Sequence, residues 1–259
     1  AGLRRRGEGA VLATVVSTRG SAPRKEGAKM LVQADGRIVG TVGGGTLEHQ
    51  VCREARKLMG GKAPQLAHFE LTNEDASKEG MLCGGIVDVF LEPIKAPPVL
   101  LIFGGGHISF TVARIGRMVD FRVVVIDDRP EFANAERFPD ADETIADDIS
   151  SAVQRLNING SSYIVIVTRE HKDDAQVLEW AAATRAAYVG MIGSRKKIQK
   201  IFSYLKTKGI TQEQLDRVHS PIGLPIGAET PEEIAVSIMA EIIQVRRRED
   251  KTGSEPPNV

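Results

Sequence analysis

Cysteine is scarce: the chain has 259 residues and only Cys52 and Cys83 carry thiols. Two thiols cannot build the disulfide framework of a small secreted domain, and their scarcity fits a reducing cytoplasm. Net charge is missing as well, since Lys+Arg and Asp+Glu each total 34. A balanced chain offers no broad footprint for nucleic acid or for a membrane surface. Long apolar runs are absent. The longest, such as Tyr163–Val167, fall far short of the roughly 20 residues of a bilayer-spanning helix. Arg4–Arg6 are followed by Gly7 and Glu8 rather than by an apolar stretch, so no secretory signal is read. There is no internal repeat and no low-complexity tract. What remains, 42% hydrophobic and 26% charged, is ordinary for a globular protein of one large domain or two modest ones.

Pro93, Pro97 and Pro98 lie between two apolar strands and read as a linker. They set the expected division: an N-terminal α+β domain over 1–95, a C-terminal domain over 99–250, and a disordered polar tail over 251–259. In the first part "AVLATVVSTRG" is a strand, and "AKMLVQADGRIVG" is a hairpin in which Asp35-Gly36 supplies positive φ angles. "TVGGGTLEHQVCREARKLMGG" passes from a glycine loop into a helix with Leu47, Val51, Ala55 and Leu58 on one face and Gly60 as its stop. "QLAHFEL" and "GIVDVFLE" are further strands.

The second part alternates strand and helix. Strands are expected at Val99–Phe103, Arg122–Ile126, Glu143–Ile145, Tyr163–Val167 and Tyr188–Met191. The first helix is expected to bury Ile108, Val112, Ile115 and Val119. This pattern predicts an α/β fold with a doubly wound, Rossmann-like parallel sheet. The last helix opens at Thr230 and Pro231 with Glu233 completing a capping box. Ile234, Ile238, Glu241, Ile242 and Val245 share a side that reads as core, and Arg246–Arg248 suit a helix C-terminus.

The chemistry starts at "LLIFGGGHISF". Gly104 permits a tight turn and Gly106 admits a phosphate to the backbone. Ser109 takes the place of the third glycine of a dinucleotide fingerprint. Asp127 and Asp128 end the next strand, where an acid can accept from ribose hydroxyls; Arg129 favours a 2′-phosphate instead. A nicotinamide cofactor, NAD(P), is therefore one reading, and a turn that kept its shape without its ligand is the other. A second anion site is expected where Gly190 and Gly193 precede Ser194, Arg195 and Lys196. His107 and His171, with Asp174, fall at the same sheet edge, as ligand-positioning groups or as loop contacts. No three ligands visibly converge with His107, His171 and His219, so no metal is assigned. In the first part Ser21, Arg24 and Lys25 share a turn, and Gly43, Gly44, Gly45 and Thr46 open a helix with Glu48 and His49. Cys83 precedes two glycines and is a candidate reactive thiol or a small turn residue. Cys52 reads as packing.

"GSAPRKEGAKMLV", "GGGTLEHQV", "MLCGGIVDVFLE", "LLIFGGGHI", "FRVVVIDDRPEFANAERFPDAD", "TREHKDD", "YVGMIGSRKK" and "GLPIGAETPEEIAVSI" occur in one order. Together they resemble the XdhC/CoxI family, the xanthine dehydrogenase accessory proteins, over nearly the whole chain. The resemblance implies a maturation factor that binds the molybdenum cofactor, assists its sulfuration with a cysteine desulfurase, and delivers it to a xanthine dehydrogenase-like hydroxylase. It implies anion cradles at Gly43–Gly45 and Gly104–Gly106 with Arg195 and Lys196, and a thiol near the molybdenum at Cys83. A cytoplasmic homodimer is expected. The family pattern often has a cysteine where this chain has Thr46, which removes that thiol. An NAD(P)-dependent oxidoreductase and a purely structural scaffold remain the alternatives. The first lacks an obvious acid–base pair.

Overall fold

The computed structural model describes residues 9–59, 63–71 and 85–252. The chain forms two compact units that meet in sequence at Ala96 and Pro97. The first carries a five-stranded antiparallel sheet: β1 (Ala10–Gly20), β2 (Lys29–Gln33), β3 (Ile38–Gly40), β4 (Gln65–Glu70) and β5 (Gly85–Ile94), in the order β3-β2-β1-β5-β4. Alternation decides its buried face. Val11, Ala13, Val15, Met30, Val32, Val87, Val89 and Leu91 point one way and pack on helix α1 (Gly45–Leu58) through Leu47, Val51, Ala55 and Leu58. The register shifts between Val15 and Ser17, and Val16 between them is exposed. The hairpin differs from expectation in one respect. Gly36 alone of its pair takes positive φ, at 86°. Asp35 instead accepts the Arg37 amide at 3.0 Å, an Asx-type bond that needs no left-handed backbone.

The second unit is a six-stranded parallel sheet: β6 (Val99–Phe103), β7 (Arg122–Asp127), β8 (Glu143–Ala146), β9 (Ser162–Ile166), β10 (Tyr188–Met191) and β11 (Val218–His219). The order β11-β10-β9-β6-β7-β8 reverses between β6 and β9, the switch point of a doubly wound, Rossmann-like fold. β11, two residues long, is too short to carry an apolar signature. Helices α2 (His107–Met118) and α7 (Pro231–Thr252) cover one face. Helices α3 (Ile149–Gln154), α4 (His171–Ala182), α5 (Arg195–Thr207) and α6 (Gln212–Asp216) cover the other. The central strands are buried on both sides, which is why they read as unbroken apolar runs.

The buried face of α2 is not centred where periodicity put it. Ser109, Val112, Ala113 and Gly116 face the sheet, while Ile108, Ile115 and Val119 sit partly buried at the margins. Small residues let the helix approach closely: a Cβ on Gly116 would stand 2.6 Å from Leu100. The start of α7 is as read. Glu233 N–H donates to Thr230 Oγ1 at 3.2 Å, and Thr230 N–H donates to Glu233 at 3.1 Å.

Candidate functional site

The site begins at the turn after β6. Gly104 has φ 108°, and a Cβ there would lie 2.4 Å from the Val167 carbonyl oxygen, so only glycine fits. Gly105 is gripped on both sides of its peptide. Its N–H donates to Asp127 Oδ2 at 2.7 Å, and its carbonyl accepts from Arg137 Nε at 2.9 Å. Asp127 also accepts from Arg129: from the amide at 3.0 Å, Nε at 2.9 Å and Nη2 at 3.0 Å. The guanidiniums of Arg129 and Arg137 lie 3.6 Å and 4.9 Å from the Phe132 ring centre. The stretch "DDRPEFANAERF" is therefore a brace around the glycine turn.

This brace uses up Asp127, one of the two strand-end acids on which a ribose was expected to rest; the other, Asp128, lines the neighbouring cavity. A carboxylate offers about four lone-pair sites, and Asp127 already accepts four hydrogen bonds. Burial acts to raise its pKa, but the bonds from the Arg129 side chain and from the Gly105 and Arg129 amides outweigh burial and hold it low. Arg129 is spent on the same carboxylate. Ser109 is fully buried, as the third glycine of the fingerprint would be, and its Oγ has no hydrogen-bond partner among the described residues.

Beside the turn, at the carboxyl ends of β6, β7, β8 and β9, lies a cavity of about 160 Å³. That is room for roughly five waters, enough for one flat ring system. Phe103, Ile126 and Ile149 give it apolar surface; Asp128, Asp147, Asp148, Asp173, Thr168 and Arg169 supply polar groups. Asp128 pairs with Arg169 at 3.0 Å and Asp147 with Arg155. Asp148 caps α3, accepting from Ser150 Oγ at 2.6 Å and Ser151 N–H at 3.1 Å, which holds its carboxyl well below the usual range. Asp173 is shifted the other way, raised by burial and by the charges of Glu170 and Asp128. The cavity is thus rich in acceptors. It suits a ligand edge bearing N–H or O–H donors and repels a bare phosphate.

The glycine turn of the first unit is built on the same plan. Gly43, Gly44 and Gly45 all have positive φ, at 139°, 83° and 53°. The Glu48 carboxylate folds back beneath them, accepting from Gly44 N–H at 2.9 Å, Val42 N–H at 3.3 Å and Thr41 Oγ1 at 2.5 Å. Burial opposes ionisation of Glu48, and the bonds from Thr41 and the loop amides outweigh it. In both turns an internal carboxylate occupies amides expected to face a ligand. Space remains beside Gly44 and Gly106, where a Cβ would meet nothing within 4 Å, although the Gly44 N–H is held by Glu48.

The remaining candidates separate. Gly104 and Asp127 line the cavity, and Gly106 and His107 start α2 beside it, His107 exposed. His171 lies in a groove between α4 and α5, and Arg195 in another beside Ser220 and Pro221. Lys196 is exposed. "TREHKDD" and "GSRKK" are coupled through their last residues: Lys197 Nζ pairs with the fully buried Asp174. Thr168 Oγ1 donates to the other oxygen of Asp174 at 2.6 Å. Spacing held the clue, because Lys197 lies one turn before the buried Ile201. Another network was hidden on α7. Glu241 accepts from Tyr188 Oη at 2.5 Å and Gly223 N–H at 2.9 Å, and faces His219 Nδ1 at 3.2 Å. Burial and Glu241 push the Tyr188 hydroxyl far up. Among the described residues no group of three His, Cys, Asp or Glu side chains could hold a metal ion. No helix among them is long and apolar enough to cross a membrane. Cys83 lies outside the described residues. Cys52 is half-buried on α1, its thiol pushed up by burial.

The XdhC Rossmann domain model matches residues 100–242, more than half of the chain. The chain belongs to the XdhC family. The model of the XdhC and CoxI family matches residues 3–70. Among curated relatives, the uncharacterized protein YqeB of Escherichia coli K12 is 36% identical over 236 residues, 91% of this chain and 43% of YqeB. This XdhC-family chain thus spans less than half of that relative. A probable xanthine dehydrogenase subunit of Bacillus subtilis 168 is 26% identical over 93% of this chain and 94% of its own length. The molybdenum cofactor insertion chaperone PaoD of Escherichia coli K12 is 23% identical, covering 97% and 88%. A crystal structure described as a xanthine dehydrogenase from Bacillus halodurans superposes with a TM-score of 0.56 at 25% identity, covering 96% and 94%.

Proposed function

We propose that this protein takes part in molybdenum cofactor maturation: it holds the cofactor as cargo and passes it to a xanthine dehydrogenase-type molybdenum hydroxylase. The observation that carries the reading is the acceptor-rich cavity at the sheet's switch point. A pterin presents N–H donors along its aminopyrimidinone edge, and Asp128, Asp147, Asp148 and Asp173 offer acceptors for them. Its phosphate belongs away from these carboxylates, at the open backbone of Gly106 and the first-turn amides of α2. The relatives named for xanthine dehydrogenase and for cofactor insertion support the same role. The molybdenum supplies the redox chemistry of the recipient hydroxylase. This chain's part is to bind, orient and release.

Sulfuration with a cysteine desulfurase, a thiol role for Cys83, a homodimer and a cytoplasmic setting are the finer parts of the proposal. The alternative, an NAD(P)-dependent oxidoreductase, loses Asp127 as a ribose acceptor, because that carboxylate is already saturated, and is left with Asp128. Anaerobic titration of the protein with molybdopterin, and separately with NADH and NADPH, tests the choice. Asp173→Asn should weaken molybdopterin by about 1–3 kcal/mol, the scale of a hydrogen bond to a charged group. Tight NAD(P)H binding with hydride turnover and no pterin affinity would leave the oxidoreductase standing.

A further inference from the structure

A second cavity lies between α4 and α5, sharing Gln176 with the crevice, with a volume of about 510 Å³. His171, Lys172, Lys197 and Lys200 ring it, and Ile201 and Tyr204 give it an apolar floor. Glu179 is the carboxylate on its rim; Asp174 is already spent on Lys197 and Thr168. The stretch Arg195–Lys208 carries Arg195, Lys196, Lys197, Lys200, Lys206 and Lys208 without one Asp or Glu. By contrast, Arg114, Arg117, Arg122, Arg155 and Arg169 of this unit are each paired with a carboxylate. Among the described residues Lys197 is the groove cation with an ion pair. Tyr204 leaves 48% of its surface exposed beside these cations. Arg195 and Lys206 line the neighbouring groove, so among the described residues the cations this groove offers without an ion pair are Lys172 and Lys200, set beside an apolar floor and facing one carboxylate, Glu179.

We propose that this groove docks an acidic, partly apolar segment of the recipient molybdenum hydroxylase; the identity of that partner rests on the function proposed above. Charge complementarity selects the occupant. Carboxylates of the segment meet Lys172 and Lys200, and an apolar side chain packs on Ile201 and Tyr204. A small anion is the poorer fit, because the cations stand on exposed lysine stems rather than being fixed in place. Nucleic acid is the poorer fit as well, because the basic surface is confined to one helix and its neighbour in a neutral chain.

The test measures binding of the full-length protein to the purified apo form of the hydroxylase from the same organism, at 50 and 300 mM NaCl. Lys172→Glu with Lys200→Glu should weaken binding at least tenfold at low salt and flatten its salt dependence. Molybdopterin affinity and the circular-dichroism melt should not change. Tyr204→Ala should weaken binding severalfold without altering the salt dependence. Equal binding by parent and charge-reversed protein overturns the docking surface. So does loss of molybdopterin affinity in that variant, which would make the groove a cofactor site, or displacement of the hydroxylase by a short DNA duplex. A parent that binds molybdopterin but no hydroxylase also defeats the docking surface and leaves the cofactor reading intact. A parent that binds neither defeats that reading itself.

Discussion

Asp127 is a carboxylate whose work is internal. Its pKa is held below the ordinary range, against the pull of burial, by Arg129 and two backbone amides. A depressed carboxyl stabilises the fold above its unfolded pKa, near 4, and that contribution is lost as pH falls through the folded value. Asp127→Asn should therefore cost about 2–3 kcal/mol at pH 7 in urea denaturation, because an amide presents donors where Arg129 also donates. The gap between parent and variant should narrow as pH falls below about 4 and close once the folded-state carboxyl is protonated. A gap that persists at low pH would show that packing, not charge, makes the difference. The acid at the end of β7 was legible in the sequence, since strand, glycines, helix and strand fix its place. Its inward turn was not, because that depends on Arg129 and Gly105 closing on it in three dimensions. Glu48 was visible as a first-turn acid, yet its hold on the loop amides needed the curl of Gly43–Gly45 to be seen.

At the scale of elements, the glycines of the β6–α2 turn have different duties. A Cβ on Gly105 would stand 2.2 Å from the Phe132 carbonyl oxygen, whereas one on Gly106 meets nothing within 4 Å. Gly105→Ala must push the bracing loop away and should destabilise the protein by about 2–4 kcal/mol. It should also open the 129–137 segment to limited proteolysis. Gly106→Ala, at an N-cap with φ −76°, should cost less than about 1 kcal/mol. If the two variants unfold at the same denaturant concentration, the brace is not holding the turn. The start of α5 shows a different balance. Its first turn carries Arg195, Lys196 and Lys197 and no acid, although each exposed cation at a helix start costs about 0.3–1 kcal/mol. Sequence periodicity located these helices well because their buried faces repeat, and it misplaced the stripe of α2 because Ser109, Ala113 and Gly116 do not look like core.

Over the whole molecule, the two-unit pattern could be read from the prolines around Pro97 and the parallel sheet from strand spacing. The strand order, β11, and the long-range polar ties could not. Glu241 looked like a polar residue on an otherwise apolar stripe, yet its partner Tyr188 lies 53 residues away. Tyr188→Phe should cost about 1–2 kcal/mol, measured as a lower denaturation midpoint, since it strips one donor from a half-buried carboxylate. An unchanged midpoint would mean that His219 and Gly223 suffice. The same helix has a consequence for how the protein comes into being. Ala235, Ile238, Met239 and Ile242 lie in one cluster with Leu100, Val112 and Val123, and Arg246 donates to the Val119 carbonyl at 3.1 Å. The strands that leave the ribosome first in this unit therefore wait, with the part of one greasy side that α2 does not cover left bare, for almost the last residues of the unit to be made. The nascent chain is exposed to aggregation and to chaperone capture for the whole of that interval.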